Sequence, residues 1–328
     1  MNAASEGGTL FLHIGMPKTG STFLQDHIFP KLDHLHVRAV PHTALFNERG
    51  DKAIERRLMG CALRRAASIW SAAGDQMFEE LLGNRMDWLK KPRDLLISDE
   101  AIGRAARRPG TLAIHLAALA EHARKWGFQK VKVLMVIRRQ DTWLASHYAQ
   151  ISNRVTAANQ GGFEQMVART LDPRIDRCGF GMVIDYAALQ AAILRELGNA
   201  SLTVLPHEAM RADKGATLRN ILIWLRTPSE MVEALTQHAE GSRANVRQAE
   251  TGVWALRPYQ LGKINAPSWA MPGRGKTIRL TSTLSAAILE SYSAGNALLA
   301  RSIPADLQKW GYVPSGTAPR PVLEGIAS

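Results

Sequence analysis

Residues 9 to 22 constrain the fold of this chain most strongly. They read Thr-Leu-Phe-Leu-His-Ile-Gly-Met-Pro-Lys-Thr-Gly-Ser-Thr, an apolar run followed by a loop that contains two glycines. The apolar run predicts a buried strand, and Ser21 and Thr22 are typical of the start of a helix. A helix start binds anions because it presents unpaired backbone N–H groups and the positive end of the helix dipole. Gly15 and Gly20 allow the backbone to come close, so the segment predicts a strand, a phosphate-binding loop and a helix.

The position of the lysine distinguishes this loop from the P-loop of ATP-binding proteins. The spacing G-x-x-x-x-G is followed here by Ser21 and Thr22, whereas the P-loop has lysine and then serine or threonine at these positions. In this chain the lysine is Lys18, inside the loop. Its ammonium group therefore reaches a different part of a bound phosphate chain than the lysine of an ATP-hydrolysing enzyme.

A second anion-binding pattern lies at residues 133 to 148, which read Val-Leu-Met-Val-Ile-Arg-Arg-Gln-Asp-Thr-Trp-Leu-Ala-Ser-His-Tyr. Arg138 directly follows a predicted buried strand, and Ser146 lies on the predicted helix after it. A charged residue at the end of so apolar a strand requires an anion or a carboxylate as its partner. Arginine suits a terminal phosphate because its planar fork donates two parallel hydrogen bonds, and the serine hydroxyl adds a third donor.

Together, the two motifs resemble those of sulfotransferases that use 3′-phosphoadenosine 5′-phosphosulfate (PAPS), and bacterial members in particular. Residues 9 to 22 are similar to the family's 5′-phosphosulfate loop, and residues 133 to 148 are similar to its 3′-phosphate motif. Residues 183 to 208 also resemble the helix and strand that follow in bacterial members. The resemblance implies that the nucleotide is bound by Pro17, Lys18, Thr19, Gly20, Ser21, Thr22, Arg138 and Ser146. It also implies that Lys18 stabilises the leaving phosphate.

The general base is expected at the end of a third strand, in Leu-Leu-Ile-Ser-Asp-Glu, residues 95 to 100. Bacterial and glycan-modifying relatives often have a glutamate there, so the resemblance implies Glu100. Asp99 is the alternative. Adjacent residues on a strand point to opposite faces, so we expect only one of the two carboxylates to line the cleft. The alternative roles of Glu100 are to cap a helix that starts near Ala101 or to pair with Arg104. His42, after the second predicted strand, is a further candidate for the base or for acceptor binding, since histidine titrates near neutral pH.

A segment rich in glycine, proline and basic residues, 262 to 276, predicts a long surface loop. It contains Arg274 and Lys276. Through its similarity to the basic loop that covers the 3′-phosphate in animal cytosolic sulfotransferases, Arg274 is a candidate ligand of the nucleotide.

Short apolar segments that alternate with helical segments predict a three-layer α/β fold, similar to that of P-loop proteins, with a central, mostly parallel sheet flanked by helices. The predicted strands are 9 to 14, 35 to 40, 94 to 98, 131 to 137 and 202 to 206. A helix is predicted between Asp185 as N-cap and Gly198 as its end, and a last helix at about 280 to 302. We expect a disordered N-terminus (1–8), one domain (9–312) and a flexible tail (313–328).

The formal net charge of +12 predicts an anionic partner. A doubly phosphorylated nucleotide fits this charge, as does an acidic or membrane-associated acceptor. Aromatic residues make up only 6% of the chain and no recognition motif is present, which disfavours nucleic acid. Two cysteines, Cys61 and Cys178, form neither a disulfide framework nor a metal-binding pattern. With no secretory signal and no membrane-spanning segment in the sequence, we expect a cytoplasmic protein.

The sequence thus predicts a PAPS-dependent sulfotransferase that transfers the sulfuryl group in line, without a metal, to a hydroxyl or amine. The resemblance implies a bacterial glycan, a glycolipid or a small alcohol as the acceptor. The alternatives are a P-loop nucleotide kinase or NTPase and a basic nucleic-acid-binding protein. Ser21 and the pair Arg138 and Ser146 argue against the first alternative.

Overall fold

The computed structural model describes residues 8–39, 65–104, 108–172, 183–241, 252–261, 264–265 and 271–313. Its strands are β1 (Gly8–His13), β2 (His36–Ala39), β3 (Leu95–Ser98), β4 (Phe128–Ile137), β5 (Leu202–Pro206), β6 (Val253–Ala255), β7 (Gln260–Leu261), β8 (Ile264–Asn265) and β9 (Thr277–Arg279). Its helices are α1 (Ser21–Phe23), α2 (Ile69–Leu82), α3 (Arg85–Lys90), α4 (Glu100–Arg104), α5 (Pro109–Lys125), α6 (Gln140–Ile151), α7 (Gln160–Leu171), α8 (Tyr186–Leu197), α9 (His207–Ala212), α10 (Lys214–Trp224), α11 (Ser229–Gly241) and α12 (Ser282–Ser302). Most of the predicted disordered terminus and tail lies outside the described residues.

Within the described residues, the first five strands form one parallel sheet in the order β2-β3-β1-β4-β5. Helices cover both faces of this sheet, so the prediction of a three-layer α/β fold is confirmed. The five predicted strands all form, with ends that differ by up to three residues from the predicted ones.

Alternation of side chains along the strands builds one apolar core on each face of the sheet. On β1, Leu10 and Leu12 pack into one core with residues of α2, α5, α6, α8 and α12. Phe11, between them, packs into the other core with residues of α10 and α11. All three side chains are fully buried. A strand buried on both faces reads as a continuous apolar run, which is why residues 9 to 14 are so hydrophobic.

The helices that follow β1 and β4 leave the sheet on opposite faces. The helical segment after β1 starts as α1 and continues as a π-helical turn, Leu24–Ile28, whose Leu24 and Ile28 lie in the core that contains Phe11. After β4, the Trp143 side chain of α6 lies in the other core. Because β1 and β4 are neighbours, a crevice opens between their carboxyl ends. Open α/β sheets bind ligands at such a switch point.

The capping residues predicted for α8 are confirmed. The Asp185 side chain accepts a hydrogen bond from the backbone N–H of Ala188 at 3.1 Å, and Gly198 ends the helix with φ of 87°. The last predicted helix is α12, which Thr281 caps through the N–H of Leu284.

Of the surface loop predicted for residues 262 to 276, the structure describes residues 264–265 and 271–276. Ile264 and Asn265 form strand β8, which pairs antiparallel with β7. Residues 271 to 276 are irregular and lead into β9, which pairs with β6. The prediction was wrong for β8 because glycine- and proline-rich composition marks turns without indicating the short strands between them.

Candidate functional site

The loop after β1 is held against β4 by main-chain hydrogen bonds. The N–H of Met16 donates to the carbonyl of Val136 at 2.8 Å, and the N–H of Val136 donates to the carbonyl of Gly15 at 2.7 Å. The chain then turns through residues 17 to 20, and α1 begins at Ser21. The loop therefore starts as an extension of the sheet, which fixes where the first turn of the helix lies.

Gly20 occupies a conformation that favours glycine, with φ of 90°. A Cβ atom placed there would lie 3.2 Å from the Sδ atom of Met210 on α9. Lys18 also has a positive φ, 69°, although it carries a side chain. Non-glycine residues in this region are uncommon and cluster at ligand-binding loops. The loop is thus a tight, defined structure, as a phosphate-binding loop requires.

The side chains of the loop differ in their surroundings. Pro17, Thr19 and Ser21 are buried, Lys18 is half-buried and Thr22 is exposed. The Thr19 hydroxyl donates to the carbonyl of Met16 inside the loop. The Ser21 hydroxyl is buried and finds no hydrogen-bond partner among the described residues. Because a buried polar group without a partner is costly, this hydroxyl at the helix start marks a place for a polar ligand.

Arg138 joins the second motif to this loop. Its guanidinium donates from Nη1 to the carbonyl of Lys18 at 3.2 Å and from Nε to the Thr142 hydroxyl at 3.1 Å. Trp143, one residue further along α6, donates from its indole nitrogen to the carbonyl of Pro17 at 2.9 Å. Two segments about 120 residues apart in sequence therefore meet at the carboxyl ends of β1 and β4.

The electrostatic environment of Arg138 is that of a buried cation with one nearby carboxylate. Arg138 is only 8% exposed. Burial lowers the pKa of its guanidinium, and the Glu208 carboxylate opposes this effect. An arginine always remains protonated in proteins, so this buried charge attracts an anion.

Ser146 lies on the same helix as Thr142, four residues later. Residues four apart on a helix share a face, so Ser146 follows Thr142 on the side that faces Arg138. Its side chain is 9% exposed. The guanidinium of Arg139, in contrast, forms two hydrogen bonds to Asp141, at 2.8 and 3.0 Å.

The two candidate carboxylates lie beside the loop. The N–H of Asp99 donates to the carbonyl of His13 at 3.1 Å, which carries the register of β1 and β3 one residue beyond the strands. Asp99 is 2% exposed, whereas Glu100, the first residue of α4, is half-buried. A Cβ atom at Gly15 would lie 3.5 Å from the Cα atom of Glu100. Glu100 is thus both next to the loop and more open than Asp99.

Gly103 explains how α4 comes so close to the loop. Its N–H donates to the carbonyl of Ile14 at 3.1 Å, and a Cβ atom at this position would lie 2.5 Å from the same oxygen. Any residue other than glycine would push α4 away from the loop. The side chain of Arg104, a possible partner of Glu100, lies outside the described residues, as does His42.

Sequence analysis missed His207, which lies at the carboxyl end of β5. A Cβ atom at Gly20 would lie 3.7 Å from its Nδ1 atom, which is buried and has no hydrogen-bond partner among the described residues. Burial, together with the nearby charges of Arg138 and Arg211, lowers the pKa of His207 to about 3, although a hydrogen bond with the Thr19 backbone opposes this shift. Its place at the carboxyl edge of a predicted strand was the available signal.

Arg274 is placed as a structural residue. Its guanidinium donates to the carbonyls of Ser152 at 2.9 Å and Thr156 at 3.3 Å, and also to those of Val155 and Arg257. These four bonds use most of the donors of the side chain. We therefore leave Arg274 out of the proposed nucleotide site.

No family model matches the chain, and no curated protein does. A sulfotransferase from Alicyclobacillus acidocaldarius is similar with a TM-score of 0.40 and 16% sequence identity, over 70% of this chain and 90% of that one.

The described residues contain neither a helix that could span a membrane nor a cluster that could bind a metal ion. Among these residues, no helix has the length and apolar character needed to span a membrane. No group of three or more histidine, cysteine or acidic side chains among them could hold a metal ion.

A buried hydrogen-bonded group lies under the loop and predicts a pH dependence of stability. His13, fully buried, shares a 2.7 Å hydrogen bond between its Nδ1 and the Ser98 hydroxyl, which also accepts from Gln25 at 3.1 Å. Burial lowers the pKa of His13 from 6.5 to about 4. Between these pH values the unfolded chain binds more protons, so the free energy of unfolding should fall as pH falls from 6.5 to 4.

The contribution of His13 to this loss is about 3 kcal/mol at most, since one pKa unit corresponds to about 1.4 kcal/mol. We expect urea unfolding at pH 7.5 and pH 5 to show a smaller loss in His13→Leu than in the wild-type protein. Equal losses in the two proteins would contradict the assignment of a neutral, buried His13.

Proposed function

We propose that the protein transfers a sulfuryl group from PAPS to a hydroxyl or amine acceptor. The observation that carries this proposal is the bond between Arg138 and the carbonyl of Lys18, which brings the two anion-binding motifs into one crevice. A nucleotide with phosphate at both its 5′ and 3′ positions needs two such motifs. Nucleoside triphosphates need only the first.

The residues of the crevice fit such a ligand. The Ser21 hydroxyl, which is buried without a partner among the described residues, and the N–H groups of the first turn of α1 would donate to a 5′-phosphate. Arg138 and Ser146 would hold the 3′-phosphate, with the arginine supplying charge and the serine an additional donor. His207, next to Gly20, adds a neutral ring to the wall of the same crevice.

When bound, PAPS would supply a sulfuryl group activated by its bond to a phosphate oxygen. The chain's own residues would then have two tasks. The Lys18 ammonium balances the negative charge that grows on the phosphate oxygen as the sulfur–oxygen bond breaks. The Glu100 carboxylate accepts the proton of the acceptor hydroxyl while the oxygen of that hydroxyl forms the new bond to sulfur.

We propose a glycan, a glycolipid or a small alcohol as the acceptor, by analogy with the family that the two motifs resemble. The net charge of +12 also fits an acidic or membrane-associated acceptor. A cytoplasmic location and peripheral contact with membranes stay part of the same proposal. Nucleic acid is not proposed as a partner.

Ligand-induced stabilisation tests the proposal directly. We expect 3′-phosphoadenosine 5′-phosphate to raise the melting temperature of the purified protein more than Mg-ATP does, and more than adenosine 5′-phosphosulfate, which lacks the 3′-phosphate. In calorimetry, Arg138→Ala should weaken binding of the first ligand by roughly 1.5 to 3 kcal/mol, the scale of one lost hydrogen-bonded charge contact.

The control is Arg195→Ala, which removes an exposed arginine of α8 that pairs with Glu196. Binding by this variant should equal that of the wild-type protein. If Arg138→Ala binds with unchanged affinity, the 3′-phosphate assignment is wrong. If Mg-ATP alone stabilises the protein, the nucleotide kinase alternative replaces the proposal.

A further inference from the structure

The chain after α12 returns to the strand end that carries Arg138. Tyr312 is fully buried, and its hydroxyl donates to Oε2 of Glu208 at 2.7 Å. The other oxygen of Glu208, Oε1, accepts from the backbone N–H of Arg139 at 3.0 Å. One carboxylate therefore connects the C-terminal segment, α9 and the residue after Arg138.

Two further hydrogen bonds hold the backbone of Arg138 and of Tyr312. The Tyr186 hydroxyl donates to the carbonyl of Arg138 at 2.8 Å. Asn296, on α12, donates from its amide to the carbonyl of Tyr312 at 2.9 Å. The first bond restrains the backbone at Arg138 and the second restrains the backbone at Tyr312, so the two residues have defined positions.

The charges make this arrangement more than a packing contact. Glu208 is the carboxylate that stabilises the charged form of the buried Arg138. Burial and the negative charge of Glu208 raise the pKa of Tyr312 well above its usual value, so the hydroxyl stays protonated and remains a donor. A carboxylate close to an anion-binding arginine competes with the anion for the same charge. A hydroxyl that donates a hydrogen bond to the carboxylate weakens this competition, because it satisfies part of the negative charge of the carboxylate.

We infer that Tyr312 and Glu208 are positioning residues that set the anion affinity of Arg138. Tyr312 holds Oε2 of Glu208 away from the guanidinium, and Glu208 compensates the buried positive charge while no anion is bound. The inference rests on the proposed function in one respect, the identity of the anion as a 3′-phosphate. It predicts opposite effects for changes at the two residues.

Calorimetry with 3′-phosphoadenosine 5′-phosphate and with inorganic pyrophosphate tests this inference. Tyr312→Phe keeps the buried ring and removes the hydroxyl, so both ligands should bind about tenfold more weakly, the scale of one hydrogen bond to a charged group. Glu208→Gln removes the competing charge and should bind both at least as tightly as the wild-type protein. The double variant should recover the affinity that Tyr312→Phe loses.

The matched control is Tyr148→Phe, which removes a hydroxyl that donates to the carbonyl of Asn159. Its affinities should equal those of the wild-type protein. A purely structural role of Tyr312 predicts a double variant that binds no better than Tyr312→Phe, and this result would overturn the inference. If Tyr312→Phe does not fold, weaker binding by Glu208→Gln overturns it instead.

The two ligands separate this inference from the proposed function. If the wild-type protein binds pyrophosphate alone, with the expected pattern in the variants, the inference holds and the nucleotide assignment fails. If it binds the nucleotide but the variants bind like wild type, the inference fails and the proposed function stands. If the wild-type protein binds neither ligand, both are wrong.

Discussion

Lys18→Met is expected to lower the rate of sulfuryl transfer by about 100- to 1,000-fold, as for removal of one charged or hydrogen-bonding group that stabilises a transition state. Methionine preserves the length of the side chain and removes its charge. The backbone of the loop is held by the bonds from Arg138 and Trp143 to the carbonyls of Lys18 and Pro17, so the substitution should leave the loop in place. Single-turnover transfer from labelled PAPS to water or to an identified acceptor measures the effect.

Lys90→Met is the control for this prediction, because Lys90 is an exposed residue of α3 that pairs with Asp87. It should transfer at the wild-type rate. Binding of 3′-phosphoadenosine 5′-phosphate by Lys18→Met should weaken far less than transfer slows, since the lysine acts mainly on charge that grows during the reaction. The expected loss for Lys18→Met is at least about 100-fold. If this variant keeps more than about a tenth of the wild-type rate, another group stabilises the leaving phosphate.

Glu100→Gln is expected to slow transfer by about 100-fold or more, the usual effect of losing a general base. Glutamine has nearly the same shape as glutamate, so α4 should still pack against the loop through Gly103. Affinity for 3′-phosphoadenosine 5′-phosphate should stay within about twofold, because the amide removes a base and not a phosphate ligand. Transfer rate and calorimetric affinity, measured on the same preparation, separate the two effects.

Asp99→Asn is the companion variant, since Asp99 is the alternative base. Asp99 is almost fully buried and is followed by the half-open Glu100, so we expect its replacement to affect stability more than transfer. If Asp99→Asn loses transfer while Glu100→Gln retains it, the two roles are reversed. Transfer at the wild-type rate in both variants would place the base elsewhere, with His42 as the next candidate.

Much of the fold could be predicted because the central strands are continuous apolar runs. The fully buried strand β1 has apolar neighbours on both faces, so its sequence indicates a central strand by itself. The order of the strands in the sheet could not be predicted in this way. It depends on pairing between β1 and β4, which are more than 100 residues apart, and no local pattern encodes that pairing.

The candidate site was predictable where a residue follows a recognisable strand. Lys18, Glu100 and Arg138 each lie just beyond the carboxyl end of an apolar run, and parallel strands bring such ends to one edge. His207 and Glu208 obey the same rule after β5. They were missed as site residues because a histidine and a glutamate at a helix start have an ordinary structural explanation.

Arg274 was proposed as a nucleotide ligand through the resemblance of its loop to that of animal cytosolic sulfotransferases. In the structure its side chain donates to four backbone carbonyls, three of them in residues 152 to 156 and one at Arg257. Such convergence depends on the tertiary path of the chain around the end of α6. A local motif gives no information about it.

The bonds that join the two anion-binding motifs have a consequence for how such a chain can evolve. Both Arg138 and Trp143 donate hydrogen bonds to backbone carbonyl groups of the loop. Every amino acid supplies a carbonyl. Selection can therefore exchange the side chains at Pro17 and Lys18 without breaking these two hydrogen bonds, provided that the backbone keeps its path. The architecture of the crevice and the reaction that it supports are therefore free to diverge at different rates.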